Sequence, residues 1–408
     1  MKTSEEIKTL VEEIVKEINP YDVVYNCLKQ HHFLNGNIYV VAIGKAAYTM
    51  ALAAKDSIPN IYKGAVISKY NHIKSNIEGF KCFEAGHPIS DENTIKATDY
   101  VLDMTKDLKN NDEVIFLVSG GGSALFESPK VTLEALQDLN NQLIKSGANI
   151  NEINAIRKRL SNVKGGRFAK HIEPAKTTSI ILSDVIGDDL SAIASGPSVI
   201  DSSGIDVFEI IKKYDLKVND EITKYLDEAK VDKLNNTENI MVGSVGILCD
   251  KTKALLEKRG YEVNIIKTDE TGDVNDISKC LGELAIKSQN TNKSLAYIIG
   301  GESVVKVKGN GLGGRNQELA LRCTKYLDGL KDTCIFAFGS DGTDGPSDAA
   351  GGYVDQDSMN WFNELGIKVD DYLENNDAYN CLIQTDNLIF TGPTGTNVND
   401  IYVLLIRR

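Results

Sequence analysis

The sequence is poor in the features that mark disulfide-rich, zinc-binding and membrane proteins. It has 7 cysteines in 408 residues, an odd number, and no two of them form a C-x-x-C pair. This pattern indicates neither a disulfide framework nor a zinc site. No apolar stretch approaches the roughly 20 residues that span a bilayer, and the acidic, amphipathic N-terminus is unlike a secretory signal. The sequence therefore predicts a cytoplasmic protein without a membrane segment.

The charge balance argues against a nucleic-acid partner. The chain has 45 Lys and Arg against 58 Asp and Glu, a formal net charge of −13, so it repels polyanions at long range. The sequence also lacks G-x-x-x-x-G-K-[ST], G-x-S-x-G, H-E-x-x-H and the set of protein-kinase motifs. The common NTPase, hydrolase and metalloprotease classes therefore have no support. Small molecules remain the expected partners.

Buried strands alternate with helices in the first half of the chain. Ile38–Ile43 is a continuous apolar run that leads through Gly44-Lys45 into an Ala-rich helical stretch, and the same succession recurs at 65–67, 114–118 and 179–182. This alternation is typical of a doubly wound α/β domain with a mainly parallel sheet. Its functional loops should lie at the carboxyl ends of the strands. Before it, residues 4–29 are predicted to form two short helices that meet at Asn19-Pro20.

The second half is predicted to be another α/β domain. It follows a polar stretch at 201–238 that suits a solvated helix pair or a linker. Strands are predicted at 240–245, 262–266, 295–299, 303–307, 334–338 and 401–406, and helices at 250–258, 273–288 and 316–326. Because Ser303–Lys308 alternates like a half-exposed antiparallel strand, the sheet is predicted to be mixed. We place the first domain at residues 1–237 and the second at 238–408.

Two glycine-containing loops of the first half could bind anions. Lys45 follows Gly44 at a strand end just before a helix, where an ammonium and free helix N–H groups could converge on an anion. An exposed lysine after a tight turn is the alternative. Ser119-Gly120-Gly121-Gly122-Ser123 could form a nest of backbone N–H groups for a phosphate or carboxylate. A close contact between helix and strand explains one of these glycines more easily than three.

Two acidic loops could hold a divalent cation. Asp184, Asp188 and Asp189 follow one apolar strand, and Asp341 and Asp344 follow another. Mg²⁺ prefers a few carboxylates together with phosphate oxygens, and a carboxylate could also act as a general base. The alternatives are helix capping by Asp188 or Asp189 and an ordinary surface turn around Asp341.

A third glycine-rich loop precedes an arginine at a predicted helix start. Gly309, Gly311 and Gly314 satisfy G-x-G-x-x-G, a dinucleotide fingerprint of weak specificity. The preceding segment carries Lys306 and Lys308, so it is unlike the buried first strand of a nucleotide-binding unit. Arg315 instead suggests a guanidinium fork for a carboxylate or phosphate, with a structural arginine as the alternative.

Two further features point less clearly to a function. A basic run carries six cations around Gly165-Gly166: Arg157, Lys158, Arg159, Lys164, Arg167 and Lys170. A solvated helix face is the usual explanation for such a run, although one member could help bind a polyphosphate. His87 could be a catalytic base, but a turn histidine without a partner is more often structural.

Taken in order, several strings resemble the class II glycerate kinases, also called glycerate 2-kinases. They are Ala42-Ile-Gly-Lys-Ala46, Ala85-Gly-His-Pro88, Val118-Ser-Gly-Gly-Gly-Ser-Ala124, Leu182-Ser-Asp-Val-Ile-Gly-Asp-Asp189, Ala194-Ser-Gly-Pro197, Gly311-Leu-Gly-Gly-Arg-Asn-Gln-Glu318 and Gly339-Ser-Asp-Gly-Thr-Asp-Gly345. The resemblance spans nearly the whole chain. It implies a Rossmann-like N-terminal domain, a C-terminal MOFRL domain, and an active site in the cleft between them.

The resemblance also implies a reaction, its cofactors and its site residues. The reaction is ATP-dependent phosphorylation of D-glycerate, most commonly at the 2-hydroxyl, with Mg²⁺. In that family a lysine and an arginine that match Lys45 and Arg315 are the proposed active-site pair. Gly44, Gly313, Gly314 and Asn316, which adjoin this pair, are assigned to substrate or nucleotide binding.

The remaining assignments are our hypothesis for phosphoryl transfer. Residues 119–123 would cradle the ATP phosphates, and Asp189 would be the base or a Mg²⁺ ligand with Asp184 in support. Asp341 and Asp344 are the alternative metal ligands.

Several alternatives stay open at this point. Parts of the family carry the name hydroxypyruvate reductase, so an NAD(P)-dependent reductase is one alternative, and a non-catalytic anion sensor is another. Related sugar acids such as erythronate or tartronate could be the substrate in place of glycerate, because such acids are distinguished mainly by the shape of the binding pocket. The sequence leaves the oligomeric state open, with a homodimer as one option.

Overall fold

The computed structural model describes residues 3–408 as two compact units. The N-terminal unit is Pro20–Val242, and the C-terminal unit combines residues 3–19 with Gly243–Arg408. Each unit is built around one six-stranded sheet. Among the described residues, no helix combines the length and apolar character that crossing a membrane requires.

Helices separate most of the consecutive strands in the chain up to Gly243. The strands are β1 (Ile38–Ile43), β2 (Lys63–Lys69), β3 (Phe80–Ala85), β4 (Glu113–Val118), β5 (Lys176–Leu182) and β6 (Thr237–Gly243). The helices are α1 (Thr3–Glu17), α2 (Pro20–Gln30), α3 (Ala47–Ser57), α4 (Glu92–Met104), α5 (Gly122–Leu125), α6 (Leu133–Ser146), α7 (Ile150–Arg159), α8 (Arg167–Ile172), α9 (Val207–Lys213) and α10 (Asp220–Leu226). The two short N-terminal helices and the helix pair at 201–238 are confirmed, whereas β3 was not predicted.

The first sheet confirms the doubly wound prediction. Its strand order is β3-β2-β1-β4-β5-β6, and the pairs β2/β3, β1/β2, β1/β4 and β4/β5 are parallel. This is the strand order of the Rossmann fold. Alternate residues of β1 pack into two cores on opposite faces of the sheet, Val41 on one side and Val40 on the other. Burial on both faces explains why these strands are continuous apolar runs.

The rest of the chain forms the second sheet and its helices. The strands are β7 (Glu262–Glu270), β8 (Leu295–Gly301), β9 (Thr333–Gly339), β10 (Gly351–Asp355), β11 (Leu388–Ile389) and β12 (Asp400–Ile406). The helices are α11 (Val245–Lys258), α12 (Val274–Lys287), α13 (Arg315–Leu327), α14 (Ser358–Glu364), α15 (Val369–Glu374) and α16 (Ala378–Leu382). The strand order is β11-β10-β9-β12-β8-β7.

The second sheet is mixed, as predicted, but not for the predicted reason. β7 and β8 are parallel, and β12 runs antiparallel to both β8 and β9. Ser303–Lys308 is not a strand; only Val304 forms an isolated bridge, with Asp273. Both edges of β8 are already occupied by β7 and β12, so the segment that follows β8 cannot pair with β8 itself.

The first helix corrects the predicted division at 237/238. The apolar side chains of α1, Ile7, Leu10 and Ile14 among them, are buried in a core with residues of α11, β8 and β12. Ion pairs of Glu17 with Lys251 and of Glu13 with Arg259 join α1 to the same unit. The amphipathic pattern of α1 predicts a buried face but does not specify which sheet that face covers.

Candidate active site

Three loops of the N-terminal unit leave the sheet from adjacent strands. β1, β4 and β5 are neighbours in the sheet and run parallel. Their carboxyl ends therefore carry three loops to the same edge: 44–46, residues 119–123 and 183–189. We call residues 119–123 the first glycine loop. Binding sites of doubly wound sheets form at this edge.

Gly44 and Ser119 fix the backbone of Lys45. Gly44 has a φ of 108°, and a Cβ there would lie 2.3 Å from Ser119 Oγ and 2.4 Å from its carbonyl oxygen. Ser119 Oγ accepts a hydrogen bond from Ala46 N at 3.0 Å and donates one to Ile43 O at 3.1 Å. Lys45 N donates to Gly120 O at 2.9 Å. Only glycine can adopt this φ with the Ser119 backbone and hydroxyl so close. Gly44 therefore fixes the backbone position of Lys45.

The first glycine loop meets Lys45, His87 and Asp184. A Cβ on Gly121, whose φ is 87°, would lie 3.0 Å from His87 Nε2 and 3.4 Å from Lys45 Cγ. A Cβ on Gly120 would lie 2.2 Å from Asp184 Oδ2. The predicted residues Lys45, Asp184 and 119–123 are therefore brought together, and His87 joins them.

The first glycine loop has backbone N–H groups that are available to a ligand. Within residues 3–408, the N–H groups of Gly120, Gly121, Gly122 and Ser123 make no hydrogen bond to the protein. No carboxylate of the described residues forms an ion pair with Lys45. Open N–H groups next to the side chain of a lysine that has no carboxylate partner can bind an anion.

His87 belongs to this edge of the sheet because it follows β3 directly. It is half-buried, and burial, followed by the charges of Lys45 and Lys69, lowers its pKa. The imidazole is therefore mainly neutral near pH 7 and can accept a proton. The sequence placed His87 in a turn but gave no sign that Lys45 and Gly121 would adjoin it.

Asp189 lies on an exposed loop. Its Oδ1 accepts a hydrogen bond from Ser191 N at 2.8 Å, which is a turn contact and not the expected helix cap, because the short 3₁₀ helix that follows begins only at Ile193. Asp188 has a left-handed backbone with a φ of 53°. Of the three acidic residues in this loop, Asp184 is the one in contact with the first glycine loop.

In the C-terminal unit, Arg315 is held by two carboxylates. Arg315 Nε donates to Asp400 Oδ2 at 2.5 Å and Nη2 donates to Asp400 Oδ1 at 3.1 Å, which makes a bidentate pair. Nη1 donates to Glu302 Oε1 at 2.9 Å. Burial alone would lower the pKa of Arg315, but Asp400 and Glu302 raise it overall. Glu302 and Asp400 were not predicted, since no local signal links Arg315 to a residue 85 positions away.

Asp344 caps the helix that begins at Arg315. Its Oδ1 accepts from Asn316 N at 3.2 Å and from Asn316 Nδ2 at 3.2 Å, and its Oδ2 accepts from Gln317 N at 2.8 Å. Gly314 precedes the helix, and a Cβ there would lie 2.3 Å from Asp344 Cγ. Burial raises the pKa of Asp344 to about 7, although the two backbone hydrogen bonds oppose that shift.

The predicted metal pair is therefore poorly suited to a cation. Both carboxylate oxygens of Asp344 accept helix N–H groups, and Asp341 Oδ1 accepts from Thr343 N at 3.0 Å. Across residues 3–408 no three His, Cys, Asp or Glu side chains form a group that could hold a metal ion. Asp341 acts as a turn residue, which was the alternative considered for this loop from the sequence. Asp344 acts as a helix cap.

Gly309–Gly314, the second glycine loop, is closed by another segment of the same unit. Lys308 N and Gly309 N donate to Asn376 Oδ1 at 2.6 and 3.1 Å. Three further N–H groups of the loop, at 310–312, donate to Asn375 and Asp377. A Cβ on Gly311 would lie 2.4 Å from Asp377 Cβ, so this glycine permits close packing. The N–H groups of residues 309–312 are therefore not available to a dinucleotide.

Comparison with known proteins gives matches over the whole chain. A domain of unknown function, DUF4147, matches residues 6–227, and the MOFRL family matches residues 295–400. A D-glycerate 2-kinase of Thermotoga maritima is 44% identical and aligns with 98% of this chain and 99% of its own length. A relative from Agrobacterium vitis named putative hydroxypyruvate reductase is 34% identical, over 91% of this chain and 100% of its own length.

A solved structure matches both units. The crystal structure of a glycerate kinase from Thermotoga maritima has a TM-score of 0.93 and 43% sequence identity, and the match covers 99% of each chain. At this identity and coverage the similarity extends over both α/β units and the loops that follow their strands.

Proposed function

Because the chain belongs to the class II glycerate kinase family, we propose that it transfers the γ-phosphoryl group of ATP to the 2-hydroxyl of D-glycerate. The products are 2-phosphoglycerate and ADP. The observation that carries this proposal is the meeting of the unpaired Lys45 with the open N–H groups of the first glycine loop. Phosphoryl transfer requires such groups, since its main demands are positioning and neutralisation of charge.

The N-terminal unit supplies the phosphate-binding groups in this proposal. The N–H groups of residues 120–123 hold the ATP phosphates, and Lys45 neutralises the oxygens of the transferring group. Gly44 keeps the lysine in place through its contact with Ser119. Support comes from the local geometry, in which every one of these groups lies at the carboxyl edge of adjacent parallel strands.

Asp184 is the carboxylate best placed to assist ATP binding. It contacts Gly120, and carboxylate oxygens are the ligands that Mg²⁺ takes alongside phosphate oxygens. Mg²⁺ would supply further charge neutralisation for ATP. Asp189 stays our proposed base for the glycerate hydroxyl, and one of its carboxylate oxygens also makes a turn contact with Ser191. The pair of Asp341 and Asp344 fits Mg²⁺ poorly, because backbone amides bind both carboxylate oxygens of Asp344 and one of Asp341.

Arg315 is proposed to act on the transferring phosphoryl group. Asp400 and Glu302 hold its guanidinium through three of its donors, and an arginine has five. Two N–H donors are thus left for an oxyanion, in a plane that the bidentate pair fixes. Gly313, Gly314 and Asn316 support the arginine from the start of α13, where Asp344 caps the helix.

The reductase alternative is the weaker of the two. It interprets residues 309–314 as a cofactor loop, yet Asn375, Asn376 and Asp377 occupy the N–H groups of residues 309–312. A reductase also needs no unpaired lysine beside an open glycine loop. The cytoplasmic location and the homodimer stay predictions, as does the need for Mg²⁺.

The test is an ADP-release assay coupled to NADH oxidation by auxiliary enzymes. The purified chain is assayed with D-glycerate, L-glycerate, erythronate and tartronate, each with and without Mg²⁺. We expect Mg²⁺-dependent ADP release that is fastest with D-glycerate. A separate reaction with hydroxypyruvate and NADH, but without ATP and auxiliary enzymes, is the control. ADP release with none of the acids, together with NADH oxidation in the control, would replace the kinase with the reductase.

A further inference from the structure

The N-terminal unit contains a cavity that extends beyond the proposed phosphate site. Its volume is about 460 Å³, within the range typical of small-molecule sites. Its wall includes segments after β3 and β4 and side chains of α6 and α7. The polar side chains that matter for its chemistry are Ser90, Gln137, Asn140, Asn141 and Arg157.

The cavity adjoins the proposed transfer site. His87 and Gly121 line it, and these residues are the ones that lie beside Lys45. A molecule bound in the cavity would therefore lie next to the first glycine loop. This position is suitable for the acceptor of a phosphoryl group.

Arg157 gives the cavity its net charge. Glu127 also lines the wall, but its carboxylate is paired with the Lys164 ammonium, and both side chains are almost fully buried. Whichever of these two partners holds the proton, their combined charge is zero. The basic run was interpreted as a solvated helix face, and burial of Lys158 and Lys164 shows that this interpretation is wrong.

The guanidinium of Arg157 has donors to spare. Its Nε donates to Asn140 Oδ1 at 2.8 Å, and in the described part of the chain neither Nη atom has an acceptor. Burial lowers the pKa of Arg157, which means that water solvates the group poorly. An arginine in this state keeps its charge and binds a carboxylate strongly through two parallel N–H···O bonds.

We propose that this cavity binds the hydroxy-acid substrate and that Arg157 binds its carboxylate. The proposal rests on the proposed function and adds the residue that recognises the acid. A single unbalanced positive charge matches a monoanion, whereas ATP phosphates carry several negative charges. The amide side chains of Gln137, Asn140 and Asn141 can hydrogen-bond the hydroxyl groups of the acid. A cavity of about 460 Å³ exceeds the needs of a three-carbon acid, so longer sugar acids should also enter.

The test measures binding and turnover separately. Isothermal titration with D-glycerate, and with a non-hydrolysable ATP analogue, is performed on the wild type, Arg157→Gln, Arg157→Lys and the control Arg159→Gln. Arg159 lies on the same helix but does not line the cavity. Arg157→Gln should weaken D-glycerate binding on the order of 10²-fold, because it removes a charge-assisted bidentate contact. Arg157→Lys should weaken it on the order of 10-fold, because the charge stays and the fork is lost.

The affinity for the ATP analogue should stay unchanged in both Arg157 variants, and Arg159→Gln should bind both ligands like the wild type. In turnover, the KM for D-glycerate should rise in Arg157→Gln while the KM for ATP does not. If Arg157→Gln does not fold, Arg157→Lys decides by the same comparison. Unchanged D-glycerate binding in the Arg157 variants, weakened analogue binding in its place, or no D-glycerate binding by the wild type would each overturn the proposal. Binding that depends on Arg157 in a protein that releases no ADP would overturn the proposed function and leave the carboxylate site standing.

Discussion

The two glycine loops differ in what their backbone N–H groups bind. In the first glycine loop, the N–H groups of residues 120–123 have no partner in the described part of the protein, and Lys45 lies beside them without a counterion. In the second, the N–H groups at 308–312 are hydrogen-bonded to residues 375–377. A glycine-rich string is therefore a binding site or a packing device according to whether another segment of the fold closes it.

The cations next to these loops show the same contrast. Lys45 has no carboxylate partner, whereas Arg315 pairs with Asp400 and Glu302. An unpaired cation in a partly buried site contributes little to stability, and its charge is available to a ligand. A cation in a bidentate pair is part of the folded network, so its removal should affect folding as well as chemistry.

The largest effect should follow from Arg315→Ala. This change should lower kcat at least on the order of 10²-fold. It should also lower the free energy of unfolding by about 3 kcal/mol, because Asp400 would be left buried without its partner. Denaturant titration and steady-state kinetics check the two parts. Adding Asp400→Asn should restore much of the stability but not the activity; a stable, inactive single variant would show that the pair has no structural role.

Lys45→Ala should have the same effect on kcat without the loss of stability. We expect a fall of at least 10²-fold in kcat, on the order seen when one charge-stabilising group is removed, with the unfolding free energy within about 0.5 kcal/mol of the wild type. Lys55→Ala, in the last turn of the helix that follows Lys45, is the control and should change neither quantity beyond the small contribution of its exposed ion pair with Glu78. Near-normal turnover in Lys45→Ala would remove this lysine from the site.

Asn376→Ala should lower the stability of the protein without weakening ATP binding, whereas Lys45→Ala should lower kcat without a loss of stability. Asn376 Oδ1 accepts the N–H groups of Lys308 and Gly309, so its loss should lower the unfolding free energy by about 2 kcal/mol. The KM for ATP should not change, because the second glycine loop binds no phosphate in this account. A rise in the KM for ATP at full stability would indicate that the second loop is a nucleotide site after all.

The last prediction concerns stability alone, as a pH dependence that comes from Asp344. Burial raises its pKa to about 7 in the folded protein, above the roughly 3.9 expected of an unfolded aspartate. The protonated form therefore favours folding, and this contribution is complete below about pH 4 and is lost as the pH rises through 7. Between these values the unfolding free energy should fall by up to about 1.4 kcal/mol per pH unit more steeply than in Asp344→Asn. Denaturant titrations at pH 4.5 to 8 would measure the slopes, and parallel slopes would contradict the assignment.

Much of the fold follows from patterns that local chemistry controls. Strands buried on both faces, such as β1 and β4, must be continuous apolar runs, and the loops after them are where a doubly wound sheet places its chemistry. The placement of Lys45, Asp184 and residues 119–123 at one edge could therefore be predicted. The resemblance to the glycerate kinases predicted the family correctly from motifs spread along the chain.

The features that could not be predicted depend on distant partners. The amphipathic face of α1 would suit either sheet, and the structure places it in the C-terminal unit. Asp344 offers the same two oxygens to a cation or to a helix end, and the second is the role seen here. Arg157 belongs to a run of cations that is typical of a solvated face, and the cavity beside it is formed by helices and loops that the sequence does not place together.

The measurement that tests the central claim most directly is phosphorus NMR of the product formed from ATP and D-glycerate by the wild-type protein. The account predicts ADP and an acid that carries the phosphate on its 2-hydroxyl, formed at a rate that Lys45→Ala reduces at least on the order of 10²-fold. Phosphate on the 3-hydroxyl, or the absence of any phosphorylated acid, would contradict it.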